Sequence, residues 1–240
     1  MRKKNFIAII PARANSKEIK NKNIIPIGGH PLISYSIEAA KKSKFVKDIY
    51  VSTDGKNIAK IARQYGAKTI VRPKYMARDH SQIEDAVLYT INQIEKKYEK
   101  SIDNVVLMQP TSPQRNIKDL DNAIKKFIDK KADSLFSCAN LYPCLWQEKK
   151  SKIEPINFSH KKRKNRQNKI PQYIENGSIY VTKRKIYENY KSRLGGKILN
   201  YVMASYSAIE LDTKEDLIFL STFLNLSTRK KLKLISPRKI

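Results

Sequence analysis

Cysteine, glycine and acidic residues are all scarce in this chain, and each shortage closes off a class of protein. Two cysteines occur in 240 residues, Cys138 and Cys144, too few for a disulfide framework and without partners at zinc-ligand spacing. A reduced, cytoplasmic setting is therefore expected. The three histidines, His30, His80 and His160, also lack metal-ligand spacing. No apolar run approaches the roughly 20 residues that cross a bilayer. The basic start followed by apolar residues mimics a signal peptide, but Pro11 and Arg13 interrupt the run before it reaches the length of a signal core.

Acids number 22 against 49 lysines and arginines, for a formal net charge of +27. Such an excess points to polyanionic partners: nucleotides, nucleic acid or an anionic membrane. Part of it is compositional, since Lys, Ile and Asn are abundant throughout. The length suits one α/β domain, burying about 70% of its unfolded surface.

What is present is organised around residues 7–23, IAIIPARANSKEIKNKN. Phe6 to Ile10 is continuously apolar and reads as a buried parallel strand. Pro11 stops it. Arg13, Asn15, Ser16, Lys17, Lys20, Lys22 and Asn23 then crowd the carboxyl end of that strand, where open α/β sheets place their ligands. Glycine is missing from this loop, which excludes the G-x-G-x-x-G and G-x-x-x-x-G-K-[ST] phosphate cradles. Anion binding would fall to side chains instead. Taken alone, the stretch is equally a solvated basic turn.

Downstream, strands and helices alternate. Helical spacing predicts Pro31 to Lys44, Gly55 to Tyr65, Gln82 to Tyr98 and Ile117 to Asp129, between strands at Asp48 to Ser52, Ala67 to Val71, Asn104 to Met108 and Ser134 to Cys138. This rhythm predicts a doubly wound, mostly parallel sheet whose loops after each strand share one crevice. Later come strands at Ser178 to Thr182, Tyr201 to Ala204 and Ser207 to Leu211, with helices at Lys183 to Tyr190 and Lys214 to Leu224. Residues 140–172 break the rhythm, and 149–169 hold nine Lys or Arg with one acid, Glu154. From Asn225 onward there are six cations and no acid, and this tail is expected to fray or to rest on an anionic surface.

The order P-A-R-x-x-S-K then K-N in the first loop resembles the signature of the acylneuraminate cytidylyltransferases. STD at Ser52 to Asp54, RP at Arg72 and Pro73, QPTSPxR at Gln109 to Arg115, NGSIY at Asn176 to Tyr180 and ELDTKEDL at Glu210 to Leu217 follow in the family's order. The loop departs from it in carrying Ala14, Asn15 and Glu18 where glycines are usual. The resemblance implies a Rossmann-like nucleotidyltransferase that joins CTP to a nine-carbon sugar acid and releases pyrophosphate, as a homodimer using one or two magnesium ions.

It also implies roles. Arg13, Lys22 and Asn23 match positions that hold the triphosphate and base, with Ser16 and Lys17 beside them. Glu210 and Asp212 lie two apart at a strand end, so their side chains share a face that suits magnesium. The competing reading makes Asp212 the cap of the next helix, with Glu215 completing a capping box. Gln109 suits sugar hydroxyls, and Arg115 either serves an anion or is a surface cation at a helix start. Arg72, held extended before Pro73, and Ser81 are further substrate candidates. Asn176 and Tyr180 border the crevice, though Tyr180 reads equally as core. Arg166, with Pro171-Gln172, matches the family's sugar-carboxylate clamp on an inserted arm that crosses a dimer. A disordered basic loop is the other reading of 140–172. Two rivals to the function stay open: a cytidylyltransferase for an eight-carbon sugar acid, and a nucleic-acid-binding protein, for which the basic runs lack interleaved aromatics.

Overall fold

The computed structural model describes residues 6–78, 80–99 and 101–238; the basic start of the sequence and Asp79 lie outside the described residues. The chain begins with β1 (Phe6–Pro11), the two-residue strands β2 (Pro26–Ile27) and β3 (His30–Pro31), α1 (Leu32–Lys42) and β4 (Val46–Thr53). There follow α2 (Lys56–Gln64), β5 (Lys68–Val71), α3 (Ile83–Tyr98), β6 (Asn104–Leu107), α4 (Asp119–Asp129) and β7 (Ser134–Leu141). A hairpin, β8 (Trp146–Lys149) and β9 (Lys152–Pro155), precedes β10 (Gln172–Lys183), α5 (Arg184–Tyr190), β11 (Ile198–Met203), α6 (Lys214–Phe223) and α7 (Leu226–Lys231).

Seven strands form the central sheet in the order β11-β7-β10-β6-β1-β4-β5. β10 is antiparallel to both its neighbours, and the other strands run one way. The sheet is doubly wound because each buried strand is apolar on both faces. Ala8 and Ile10 pack with Ile37 of α1, Ile58 of α2 and Ile124 of α4. Ile7 and Ile9, pointing the other way, pack with Val87 and Ile91 of α3 and Tyr187 of α5. The parallel strands therefore all deliver their carboxyl ends to one edge, and the loops after β1, β4, β5 and β6 meet there.

Three expectations are corrected. Residues 207–211 make no strand: Ser205–Ala208 is a 3-10 turn, and the Leu211 amide donates to the Thr111 carbonyl at 2.9 Å. Leu211 serves there as a tether, burying in a third cluster with Ile19, Leu32, Leu220 and Leu234. Asp212 does not cap α6. Thr213 does, its hydroxyl accepting from the Asp216 amide while Asp216 accepts from the Thr213 amide, so the capping box closes one residue later than the sequence suggested.

The described part of the tail does not fray. Arg229 is buried beneath the surface, donating to the Tyr35 hydroxyl at 3.2 Å, and Leu234 and Ile235 are buried as well. Backbone bonds from Ile117 to Lys233 and from Ile235 to Arg115 sew the segment to the loop after β6. The burial of Leu234, Ile235 and the stem of Arg229 outweighs the repulsion among its cations.

Candidate active site

The loop after β1 is shaped by its neighbours because glycine is absent from it. The Ala14 amide donates to Asp54 Oδ1 at 2.9 Å, and Asn23 Nδ2 donates to the Arg13 carbonyl at 2.9 Å. Ile19 anchors the middle of the loop in the third apolar cluster. These ties hold Arg13, Ser16, Lys22 and Asn23 along one wall of a cavity of about 250 Å³. Arg72 and Ser81, from the loop after β5, and Gln109, from the loop after β6, line the same cavity. Seven residues singled out from sequence thus converge.

Arg72 marks what this cavity wants. It is 6% exposed, and its Nε has no hydrogen-bond partner among the described residues. Burial, with Arg13 close by, pulls its pKa below the ordinary guanidinium value, while Asp54 works in the opposite direction. A buried, under-satisfied guanidinium beside a second cation is stabilised by an anion that supplies acceptors.

The carboxylates Glu210 and Asp212 do not line the cavity but adjoin it through two residues that do, Thr111 and Lys22. Lys22 Nζ donates to Asp212 Oδ1 and to the Leu211 carbonyl, both at 3.0 Å, and so ties the first loop to the carboxylate turn. Thr111 Oγ1 donates to Glu210 Oε2 at 3.3 Å. Burial first, and then the neighbouring Asp212, pushes the Glu210 carboxyl above its ordinary pKa. Two carboxylates held together in this way favour a cation between them.

Four sequence candidates are placed elsewhere. Lys17 is exposed and does not line the cavity. Arg166 lies on the arm, stacked over the Tyr142 ring with 4.9 Å to its centroid. Arg115 is 1% exposed and donates inward, to Ser178 O, Gln109 O and Ser36 Oγ. Burial brings its pKa down to about 9. It is a brace between β10, α1 and the loop after β6, not a surface cation or an anion ligand.

Asn176 is fully buried too. Its Oδ1 accepts from Ser137 Oγ and its Nδ2 donates to Ser207 Oγ, which leaves the amide committed to the fold. Tyr180 resolves as core, with its hydroxyl donating to Glu175. Arg115→Met is expected to cost about 3 kcal/mol or more, since it strands several buried acceptors of charge-assisted bonds. Denaturant unfolding checks this, with substrate KM values of the folded protein little changed.

Sequence reasoning missed Arg78 and Thr111, which line the cavity, and Gly177. Gly177 has φ of +61°, and a Cβ there would lie 2.5 Å from Glu210 Oε2 and 2.8 Å from Gln109 Oε1. Its place inside the NGSIY block was the available signal. A family model described as cytidylyltransferase matches residues 7–216. The chain belongs to the cytidylyltransferase family.

Within that family it is 34% identical over 224 residues to the CMP-N,N'-diacetyllegionaminic acid synthase of Legionella pneumophila, covering 88% of this chain and 92% of that protein. It is 30% identical over 241 residues to the N-acylneuraminate cytidylyltransferase of Escherichia coli, covering 95% of this chain and 54% of the relative. The chain spans about half the length of the first curated relatives it matches. Its fold is similar to that of CMP:2-keto-3-deoxy-manno-octonic acid synthetase complexed with CTP, with a TM-score of 0.70 and 17% identity, over 92% of this chain and 98% of that one. Among the described residues, no helix is long and apolar enough to cross a membrane.

Proposed function

We propose that this protein transfers the cytidylyl group of CTP to the anomeric hydroxyl of a nine-carbon 2-keto sugar acid. The new bond joins the sugar oxygen to the α-phosphorus, and the bond to the β-phosphate bridging oxygen breaks as pyrophosphate leaves. One observation carries the reading: buried Arg72, lacking a partner at Nε, lines a cationic cavity, and two further lining residues, Lys22 and Thr111, bond the Glu210–Asp212 pair beside it. A triphosphate would bring the negative charge that Arg13, Arg72 and Arg78 surround. The family relatives are named for sugar acids of this kind.

Little covalent work falls to the protein in such a transfer, so positioning and charge must supply the rate. Arg13 and Arg72 bind phosphate oxygens, with Ser16 as a further donor. Lys22 neutralises charge where the two walls meet. Gln109, whose amide oxygen lies beside Gly177, orients the sugar hydroxyls, and Ser81 serves the nucleoside end.

The donor set suits magnesium. Among the described residues no three His, Cys, Asp or Glu side chains gather, so Glu210 and Asp212 stand as a pair of hard oxygen donors with the Thr111 hydroxyl close by. Magnesium commonly takes one or two carboxylates and completes its shell from substrate phosphate and water. When bound, it would neutralise phosphate charge and favour deprotonation of the attacking hydroxyl.

The test is direct. Purified protein with CTP, magnesium and N-acetylneuraminic, legionaminic or pseudaminic acid is expected to release pyrophosphate and form the CMP-sugar acid. Turnover of an eight-carbon acid alone would move the substrate to that class. Retention of nucleic acid at moderate salt, without turnover, would favour the binding protein.

The same reading gives residues 140–172 to the neighbouring subunit of a homodimer. The arm carries exposed Trp146, Ile153, Ile156 and Ile170, and its Arg166 does not line its own chain's cavity. Arg166→Lys is expected to raise the KM for sugar acid several-fold and leave that for CTP nearly unchanged, because the charge stays while the bidentate fork is lost. Mixing Arg166→Ala chains with Asp212→Asn chains should restore activity through one intact composite site. Mixed chains no better than either parent would return the arm to a solvated basic loop.

A further inference from the structure

The arm encloses a second cavity, of about 350 Å³, apart from the central one. Its frame is one residue, Asn157, whose Oδ1 accepts from the Leu145 amide while Nδ2 donates to the Pro143 carbonyl and to Gln172 Oε1. The chain leaving β9 is thereby tied to the approach to β8 and to the start of β10. Pro143, Phe158 and Ile170 give the cavity an apolar wall, and Lys162, Lys164 and Lys169 converge on it.

The Phe158 ring is fixed from two sides. It meets Trp146 edge to face with centroids 5.2 Å apart, and the Arg163 guanidinium lies 5.3 Å from its centroid. Lys169 is held at the rim by the Tyr142 carbonyl, 3.4 Å away. The one acid between residues 149 and 169, Glu154, is placed in the hairpin opposite Gln147 and does not line the cavity. Three lysines line a concave, partly apolar wall to which no described carboxylate contributes, and such a setting focuses a positive field.

We infer that this cavity is a binding site for a small phosphate-bearing anion, separate from the CTP site. The lysines act as point charges on the phosphate, and the apolar wall accepts whatever the phosphate carries. Nothing in the inference depends on the transfer reaction proposed above.

Trp146 reports on the site, because it is the one tryptophan of the chain and touches the ring that lines the cavity. Titrating the full chain with inorganic phosphate and with pyrophosphate at constant ionic strength should give a saturable change in tryptophan emission. Pyrophosphate, carrying more charge, should saturate at the lower concentration. Lys162→Gln combined with Lys164→Gln should raise the half-saturation concentration about tenfold. Both lysines are exposed, and an unchanged melting curve shows that the fold survives.

Arg13→Gln, in the central cavity, should leave the titration unchanged. A response that matched added chloride, or that survived the double lysine substitution, would overturn the site. So would loss of the response in Arg13→Gln, since Trp146 would then be sensing the central cavity.

Discussion

Asp212→Asn is expected to lower turnover on the order of 1000-fold, the loss typical of removing a major electrostatic group from an active site. The capping interpretation would have predicted little change, since Asn is as good a helix cap as Asp. That interpretation fails on geometry: Thr213 and Asp216 close the box, and the Asp212 side chain plays no part in it. Its partner is Lys22, in a pair whose carboxylate is 68% exposed. An exposed pair of this kind contributes about 0–1 kcal/mol to stability, so the melting temperature should hardly move.

The loss would therefore be chemical. A neutral amide neither holds a divalent cation as a carboxylate does nor fixes the Lys22 ammonium between the loop and the turn. Pyrophosphate release at saturating CTP and magnesium, measured beside a thermal melt, checks both halves. Activity within about tenfold of the parent would remove Asp212 from the chemistry.

Gly177→Ala should reduce kcat/KM about 100-fold through a single methyl group. The new Cβ would stand 2.5 Å from Glu210 Oε2 and 2.8 Å from Gln109 Oε1, so both side chains must move aside. A displacement of about 1 Å at a reacting centre is enough for a loss of that order. The backbone adds a separate cost, because φ of +61° disfavours Ala by about 1 kcal/mol.

Gly29 separates the two effects. Its φ is +82°, and a Cβ there meets nothing within 4 Å. Gly29→Ala should therefore lower stability comparably and keep activity near the parent value. Similar losses of kcat/KM in the two variants would show that backbone strain, and not displacement of Glu210 and Gln109, is responsible.

Much of this site was readable along the chain because its residues follow strand ends in sequence. Arg13, Arg72 and Gln109 each sit just past an apolar run, and a parallel sheet carries every such position to the same edge, while Lys22 belongs to the loop that follows the first of them. Arg115 and Asn176 were misread for the opposite reason. A polar residue in a motif beside the crevice looks alike whether it meets substrate or protein, and the groups that claim these two, Ser36, Ser137, Ser178 and Ser207, come from four different segments.

The stretch from Ser207 to Leu211 was expected as a strand, yet it joins no sheet. Leu211 goes instead to the third apolar cluster, and the Thr213 cap then releases Asp212 toward Lys22. The six cations of the tail suggested fraying, while burial of Leu234 and Ile235 decided for docking.

By itself, then, the sequence determined the α/β alternation, the doubly wound sheet and the cationic loop, since hydrophobic period and strand-end position are local properties of the chain. Only the tertiary structure decided which polar groups face the cavity and which brace it. Hydrogen-bond satisfaction is a contest among groups far apart in sequence, and its outcome is set when the layers pack.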